Sequence, residues 1–406
     1  MRLPGGYHLT YCSNIHPGET WEEVQGNLAA YLPQVRRALG TPGPFGVGLR
    51  LSALAARQLE APEALARFRE FLAAGDHYVF TLNGFPYGVF HGAAVKESVY
   101  LPDWRDEERL DYTNRLARLL AALLPDEPGL EGSVSTVPGA FKGAARSPDD
   151  AGRMARLMLR HAAELVRLER RTGKTIALAL EPEPCCQIET TAEAVAYFQE
   201  HLLAPAPLGE FAADAGLAPS QAEAAVRKHI GLCYDACHQA VEFEEPGASL
   251  AAIAAAGIKL CKFQISSALR LSFRRGDGRP LALLGPFVES TYLHQVVERS
   301  RGELTRFVDL PQALDEERRL AAVRPGEPLE WRVHFHVPIF LEEMRNFQTT
   351  QAHLAELLAA LRRQPLCRHL EVETYTWDVL PPEYRTQPLP AAIARELAWA
   401  RDRMAP

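Results

Sequence analysis

One feature limits most strongly what this chain can fold into: a repeated order of short apolar run, loop and amphipathic helix. The apolar runs are YHLTYC (7–12), FGVGLRL (45–51), HYVFTLNG (77–84), GSVSTVPG (132–139), KTIALALEPEP (174–184), GLCYDACH (231–238), IKLCKFQISS (258–267) and HLEVETYTW (369–377). Helical patterns begin near Thr20, with Glu22 and Glu23 in the first turn as the helix dipole prefers. Others cover 53–73, 107–124, 148–171, 348–362 and 388–403. Strands alternating with helices pair in parallel through right-handed crossovers. Nearly continuous apolar strands fit a sheet buried on both faces. An open doubly wound sheet would satisfy the same order, but eight units favour a closed (β/α)₈ barrel. No GxGxxG follows the first strand, which argues against dinucleotide binding. The expectation is one barrel domain over 1–406. The stretch after the seventh strand is too long for one connection. It reads as an insertion, 268–345, returning through WRVHFHVPIF (331–340), with an exposed excursion at 311–330 where prolines and charges gather.

Charge and cysteine usage narrow the function classes. The formal net charge of -7 argues against a general nucleic-acid or anionic-membrane surface. No run of about 18 uncharged apolar residues is present, so no spanning helix is expected. The N-terminus does not read as a signal peptide. The seven cysteines include no zinc-type CxxC pair. Free thiols in a reducing cytoplasm are expected.

In a barrel, chemistry sits at the carboxyl ends of the strands. There the fifth strand carries Glu181 and Glu183, the sixth Asp235 and His238, the seventh Lys262 and Gln264, and the eighth Glu373. The returning insertion adds His334 and His336. Oxygen and imidazole donors of this kind suit zinc, manganese, iron or cobalt. Residues two apart on an extended segment face one side, so His334 and His336 can point at one ion. Each group also has an ordinary reading. A strand-end Glu can be a salt-bridge partner, Asp235 can cap the next helix, and HxH can be a structural pair. Their convergence favours a divalent-metal site, because burying three carboxylates without a cation would cost several kcal/mol per charge.

Further residues surround that site. Asn14 and His16 follow the first strand, and Asn83, Tyr87 and His91 follow the third; with Gln264 they are candidate substrate contacts. Loop 84–105, with its glycines, Pro86 and aromatics, reads as a lid or as an ordered loop packed on its neighbour. Lys262 is a candidate for holding an anionic oxygen or moving a proton; its alternative is an ion pair with Glu181 or Glu183. Glu183 is a candidate general base, or an exposed loop residue. His294 and the cysteines are expected to play structural roles.

LEPEP, YDACHQA (234–240), the HxH pair and LEVET resemble the metal motifs of the xylose-isomerase-like superfamily, which includes sugar isomerases, epimerases and endonuclease IV. The resemblance implies ligand positions for Glu181, Asp235, His238, His336 and Glu373. His334 stands where an Asp is usual, Lys262 or Gln264 replaces a seventh-strand His, and Val137 replaces an endonuclease His. A trinuclear DNA-repair site is therefore not expected. LTYCSNIHPGETW (9–21), PFGVGLRLS (44–52), FTLNGFPYGVFHG (80–92) and VYLPDWRDEERLDYT (99–113) resemble the EboE family, described as a metabolite traffic protein of ebo-type clusters. That implies a small-molecule metabolite and proteins of such a cluster as partners, and it implies no reaction. The expected function is metal-dependent isomerisation or epimerisation of a polyol, cyclitol or sugar-like compound. Its rivals are metal-dependent oxidation or hydrolysis, and non-catalytic carriage of a precursor.

Overall fold

A computed structural model describes residues 1–92 and 94–405. Among them, the barrel strands are β1 (Tyr7–Tyr11), β2 (Phe45–Arg50), β3 (His77–Asn83), β4 (Gly132–Thr136), β5 (Ile176–Leu180), β6 (Ile230–Asp235), β7 (Lys259–Ile265) and β8 (His369–Val372). Hydrogen-bonded order runs β1-β8-β7-β6-β5-β4-β3-β2, parallel throughout. A parallel bridge between Cys12 and Gly48 brings β1 back to β2, closing the ring into a (β/α)₈ barrel.

Closure at that seam rests on side chains as well as backbone. The Thr10 hydroxyl donates to the Gly46 carbonyl at 2.8 Å and accepts from the Gly48 N–H at 2.9 Å. Gly48 is required by proximity. A Cβ there would lie 2.5 Å from the Tyr11 carbonyl oxygen and 2.0 Å from a Glu371 carboxylate oxygen.

The outer helices follow local signals. Trp21–Leu39 starts at a capping box between Thr20 and Glu23 and ends at the left-handed Gly40. The pattern read as one helix over 53–73 is two, Ala53–Leu59 and Pro62–Ala74, because Pro62 cannot continue the first. Two further helices, Pro205–Ala215 and Pro219–His229, lie in the connection from β5 to β6. The described residues include no helix long and apolar enough to cross a membrane. All seven cysteines are buried and unpaired.

The connection from β7 to β8 is an antiparallel sheet of its own. Its strands are Leu269–Arg274, Val296–Ser300, Glu303–Phe307, Pro328–Val333, Glu343–Met344 and Phe347–Thr349. Helix Leu310–Ala321 occupies the stretch expected as an excursion. Gln295 precedes one strand and His334 follows its neighbour, joined by a 2.8 Å backbone bond. Buried Arg275 ties this sheet together by bonding to Glu298, Glu317 and Glu327. The chain returns through helix Gln351–Arg363.

Because β1 and β2 leave no room for a methyl group at residue 48, Gly48→Ala should destabilise the fold by about 2–3 kcal/mol, the usual scale of overpacking. Urea unfolding measures this. A midpoint equal to wild type would show that the seam yields.

Candidate metal centre

The barrel places Glu181, Asp235 and Glu373 at one end, with one carboxylate oxygen of each within 4.8 Å of the others. The same spacing holds for Asp235, His238 and His336, and for Glu183, His238 and His334. All are buried. Asp235 both ends β6 and caps the next helix. Its Oδ1 accepts from the His238 N–H at 3.0 Å and the Ser266 hydroxyl at 2.7 Å. Its Oδ2 has no hydrogen-bond partner, and neither does Glu181 Oε2. Capping and ligation are thus compatible, each using one oxygen.

The three histidines are oriented alike. Nδ1 of His238 faces the Pro182 carbonyl at 2.9 Å, and Nδ1 of His336 faces the Glu373 carbonyl at 2.8 Å. Nδ1 of His334 faces Gln295 Oε1 at 2.7 Å. The Gln295 amide direction is fixed, because its Nε2 donates to the Tyr100 hydroxyl and the Pro184 carbonyl. Every Nδ1 therefore carries the proton, and in the neutral ring each Nε2 presents a lone pair. The His334 and His336 Nε2 atoms are 3.2 Å apart. Two lone pairs repel at that distance. Two nitrogens on one tetrahedral ion with bonds of about 2.05 Å sit roughly 3.3 Å apart. The residues present fit a divalent ion, in donor type and in spacing.

Proton affinities record the same crowding. Burial pushes Glu181 up to about 8, against the pull of His238. Burial, with Glu181 and Asp235 nearby, holds Glu373 well above the usual carboxylate range. Burial draws His336 down to about 4 and His334 well below its ordinary value. Burial pulls His238 down, but Asp235, Glu183, Glu181 and the Pro182 carbonyl together raise it.

Glu373 is held by two side chains from the early strands. Asn14 donates to its Oε1 at 2.8 Å and Asn83 at 3.0 Å. Both amides line the cavity above the cluster, as does Glu183, whose Oε1 accepts from Tyr100 at 2.6 Å. Glu183 is thus a buried cavity residue, not an exposed loop residue.

Four expected contacts lie elsewhere. His16 stacks on Tyr31 with ring centres 4.1 Å apart and bonds to the Tyr11 hydroxyl, away from the cavity. Tyr87 packs against Tyr112 and donates to Glu108. His91 sits behind the rim, bonded to the Asn14 carbonyl and the Tyr292 hydroxyl, so it positions neighbours. Gln264 lies beneath the cluster, fully buried, with neither amide atom hydrogen-bonded.

Lys262 requires a larger correction. It does not reach the cavity or pair with Glu181 or Glu183. Its Nζ lies 2.6 Å from Glu371 Oε2, both side chains fully buried within the barrel. Burial alone would lower its pKa, but Glu371 together with Cys233, Cys12 and Glu181 raises it. A proton held so firmly suits a structural cation, not a base. Sequence reasoning overlooked Glu371, although it lies two residues before Glu373 on the same strand face. Gln295 and Tyr100, which orient His334 and Glu183, gave no comparable signal.

Loop 84–105 lies across the cavity mouth, residue 93 falling outside the described residues. Its Phe85, Pro86, Phe90, Val95, Val99 and Tyr100 line the cavity. Lys96 fastens it to the insertion, bonding the Glu289 and Tyr292 carbonyls and the Asp309 carboxylate. His294 is structural, bridging the His334 carbonyl and Glu289.

No family model and no curated protein matches the chain. Solved structures do. A xylose isomerase domain protein from Planctomyces limnophilus is 12% identical with TM-score 0.46, covering 91% of this chain and 89% of that chain. D-psicose 3-epimerase from Clostridium cellulolyticum H10, solved with D-tagatose, is 11% identical with TM-score 0.46, covering 98% of each. The IolI protein with a binding zinc atom is 14% identical with TM-score 0.45, also covering 98% of each.

Two outcomes follow from this geometry. Lys262→Met leaves Glu371 buried without its cation and should cost about 3–5 kcal/mol. Adding Glu371→Gln should recover much of it, measured by urea unfolding. Additive losses would show that the two do not act as a pair. The second concerns pH. A carboxyl whose pKa rises on folding gives stability that is lost as pH rises through the folded value. Between about 6.5 and 8 the neutral histidines no longer titrate, so Glu181, Glu373 and His238 act in the same direction. Metal-free protein should melt at progressively lower temperature across that window, and zinc should raise the melting temperature most at pH 8. A flat metal-free profile would contradict the crowding.

Proposed function

We propose that this chain is a metal-dependent isomerase or epimerase of a small carbonyl- and hydroxyl-bearing metabolite, working in the processing or traffic of a secondary-metabolite precursor in the manner of the EboE family. The observation that carries this reading is the set of three histidines with Nδ1–H pinned beside buried carboxylates, His238 and His336 grouped with Asp235, and His238 and His334 with Glu183. Glu181, Asp235, His336 and Glu373 would hold zinc, manganese, iron or cobalt, with His238 and His334 completing the donor set. Bound there, such an ion supplies Lewis-acid polarisation of a carbonyl and acidifies the neighbouring C–H.

The chain's own residues perform the remaining tasks. Asn14 and Asn83 fix Glu373 from one side, and the Glu373 carbonyl fixes His336 from the other. Glu183 faces the cavity, held by Tyr100. As a carboxylate it would take the proton from the hydroxyl-bearing carbon and return it to the former carbonyl carbon while the hydroxyl proton passes to the former carbonyl oxygen, so an isomerisation has no net proton.

Two measurements test the proposal. Protein purified without chelator should contain about one transition-metal ion or more per chain. Asp235→Ala and His336→Ala should lower that content at least about tenfold. Equal metal in all three removes the site. Metal-loaded protein in D₂O should then place deuterium on the carbon next to the carbonyl in some member of a panel of ketoses, inososes and α-hydroxyketones, followed by NMR. Glu183→Gln should abolish exchange with metal retained. Full metal with no exchange across the panel would replace catalysis by carriage.

A further inference from the structure

The cavity above the cluster has two unlike halves. Its floor is acidic and nitrogenous: Glu181, Glu183, His238, His334 and Glu373. Its wall is apolar, drawn from three separate parts of the chain. Phe85, Phe90, Val95 and Val99 come from the loop after β3, Tyr292 from the insertion, and Tyr375 from the turn after β8. Phe90, Tyr292 and Tyr375 form a three-ring cluster, with centres 5.0 Å, 5.2 Å and 5.2 Å apart pairwise. Tyr375 also lies against the His336 ring, 4.7 Å away, so the aromatic cluster begins where the donors end.

Two of the cavity's tyrosine hydroxyls are already engaged. The Tyr292 hydroxyl is bonded to His91 at 2.8 Å, and the Tyr100 hydroxyl to Glu183 at 2.6 Å. Among the described residues, no lysine or arginine lines the cavity. The buried cations nearby are already paired, Lys262 with Glu371 and Arg50 with Glu19. A phosphate or carboxylate entering here would meet acidic groups and no side-chain cation. A free sugar would reach the unpartnered Asn14 Oδ1 and Glu181 Oε2 with its head, but would press its remaining hydroxyls against Phe85, Phe90, Val95 and Val99, and each unpartnered buried hydroxyl costs about 1–3 kcal/mol.

We infer that the ligand is uncharged and two-ended: an oxygen-bearing head over the carboxylate–histidine floor, and an apolar, preferably aromatic, body against Phe90, Tyr292 and Tyr375. This rests on the proposed metal reading for its head and on the wall alone for its body. It separates the site from one that selects sugar phosphates or free sugars.

The test uses zinc-loaded full-length protein of verified metal content and three probes, with binding followed by calorimetry. 2-Hydroxy-1-phenylethanone keeps the α-hydroxyketone of a ketose and replaces its polyol chain by a phenyl ring. D-Fructose keeps the chain, and D-fructose 6-phosphate adds a charge. The phenyl ketone should bind at least about tenfold tighter than fructose, with the phosphate weakest. Phe90→Ala and, separately, Tyr375→Leu should weaken the phenyl ketone about fivefold or more while leaving metal content and fructose affinity unchanged. Fructose or its phosphate binding as tightly as the phenyl ketone overturns the inference. So does failure of metal-loaded protein to bind the phenyl ketone. Protein that takes up no zinc fails the proposed function instead, and the two failures are told apart by the metal measurement.

Discussion

The structure depends on how it manages carboxylates buried at one end of the barrel. An isolated buried carboxylate is expensive enough that proteins neutralise it, pair it or give it a metal. All three answers are visible here. Glu371, deepest in the barrel, is paired with Lys262. Glu181 and Glu373 have pKa values raised by burial and mutual repulsion, so that in the metal-free chain they tend to hold protons. Asp235 is stabilised by Ser266, by the helix it caps and by His238, and still keeps one oxygen free. Lys262 is committed to Glu371, and among the described residues no lysine or arginine pairs with the upper carboxylates. Only His238 is raised toward its charged form, and His334 and His336, lowered by burial, do not cancel the carboxylates' charge. A divalent cation does, and it satisfies both sets at once.

The barrel was legible because its signal is long and repetitive. β5 is IALAL and β7 is KLCKFQI, short runs between loops and helices, and a parallel sheet covered on both faces asks for that pattern. The sheet inside the insertion was not legible. LRLSFR alternates, but ELTRF is largely exposed and polar, so neither carries a strong strand signal alone. LRLSFR pairs with Pro328–Val333, a long-range contact with no local trace in the sequence, and ELTRF pairs with Val296–Ser300 across the short turn at Arg301 and Gly302. The split at Pro62 was marked in the sequence, and the Ala/Leu periodicity around it obscured the break.

At the site, residue type was readable and side-chain direction was not always. On a strand, spacing of two fixes the side; the same rule that places Glu373 inward also places Glu371 inward. In a loop no such period exists. His16 and Tyr87 follow barrel strands much as Asn14 and Asn83 do. Yet Tyr31 and Tyr112 offer them flat partners, and their rings turn there instead. Polar amides had no such option. Asn14 and Asn83 had to find acceptors, and the buried Glu373 oxygen accepts from both.

The insertion has two duties, and the mouth loop joins them. It supplies His334 and His336, and it supplies the segment on which the mouth loop rests. The histidines are fixed from below, by Gln295 and by the Glu373 carbonyl. The mouth loop is fixed from the side, by Lys96 and by the Val95 and Lys96 N–H groups on the Thr291 carbonyl. The two sets meet at Tyr100, which belongs to the mouth loop: its hydroxyl accepts from Gln295 Nε2 and donates to Glu183. Tyr375 adds a second link, touching both Phe90 and His336 through ring contact. Gln295 in turn orients His334. Moving the mouth loop would therefore disturb the bonds that hold Glu183 and set the His334 ring, and a preorganised site needs that loop in place.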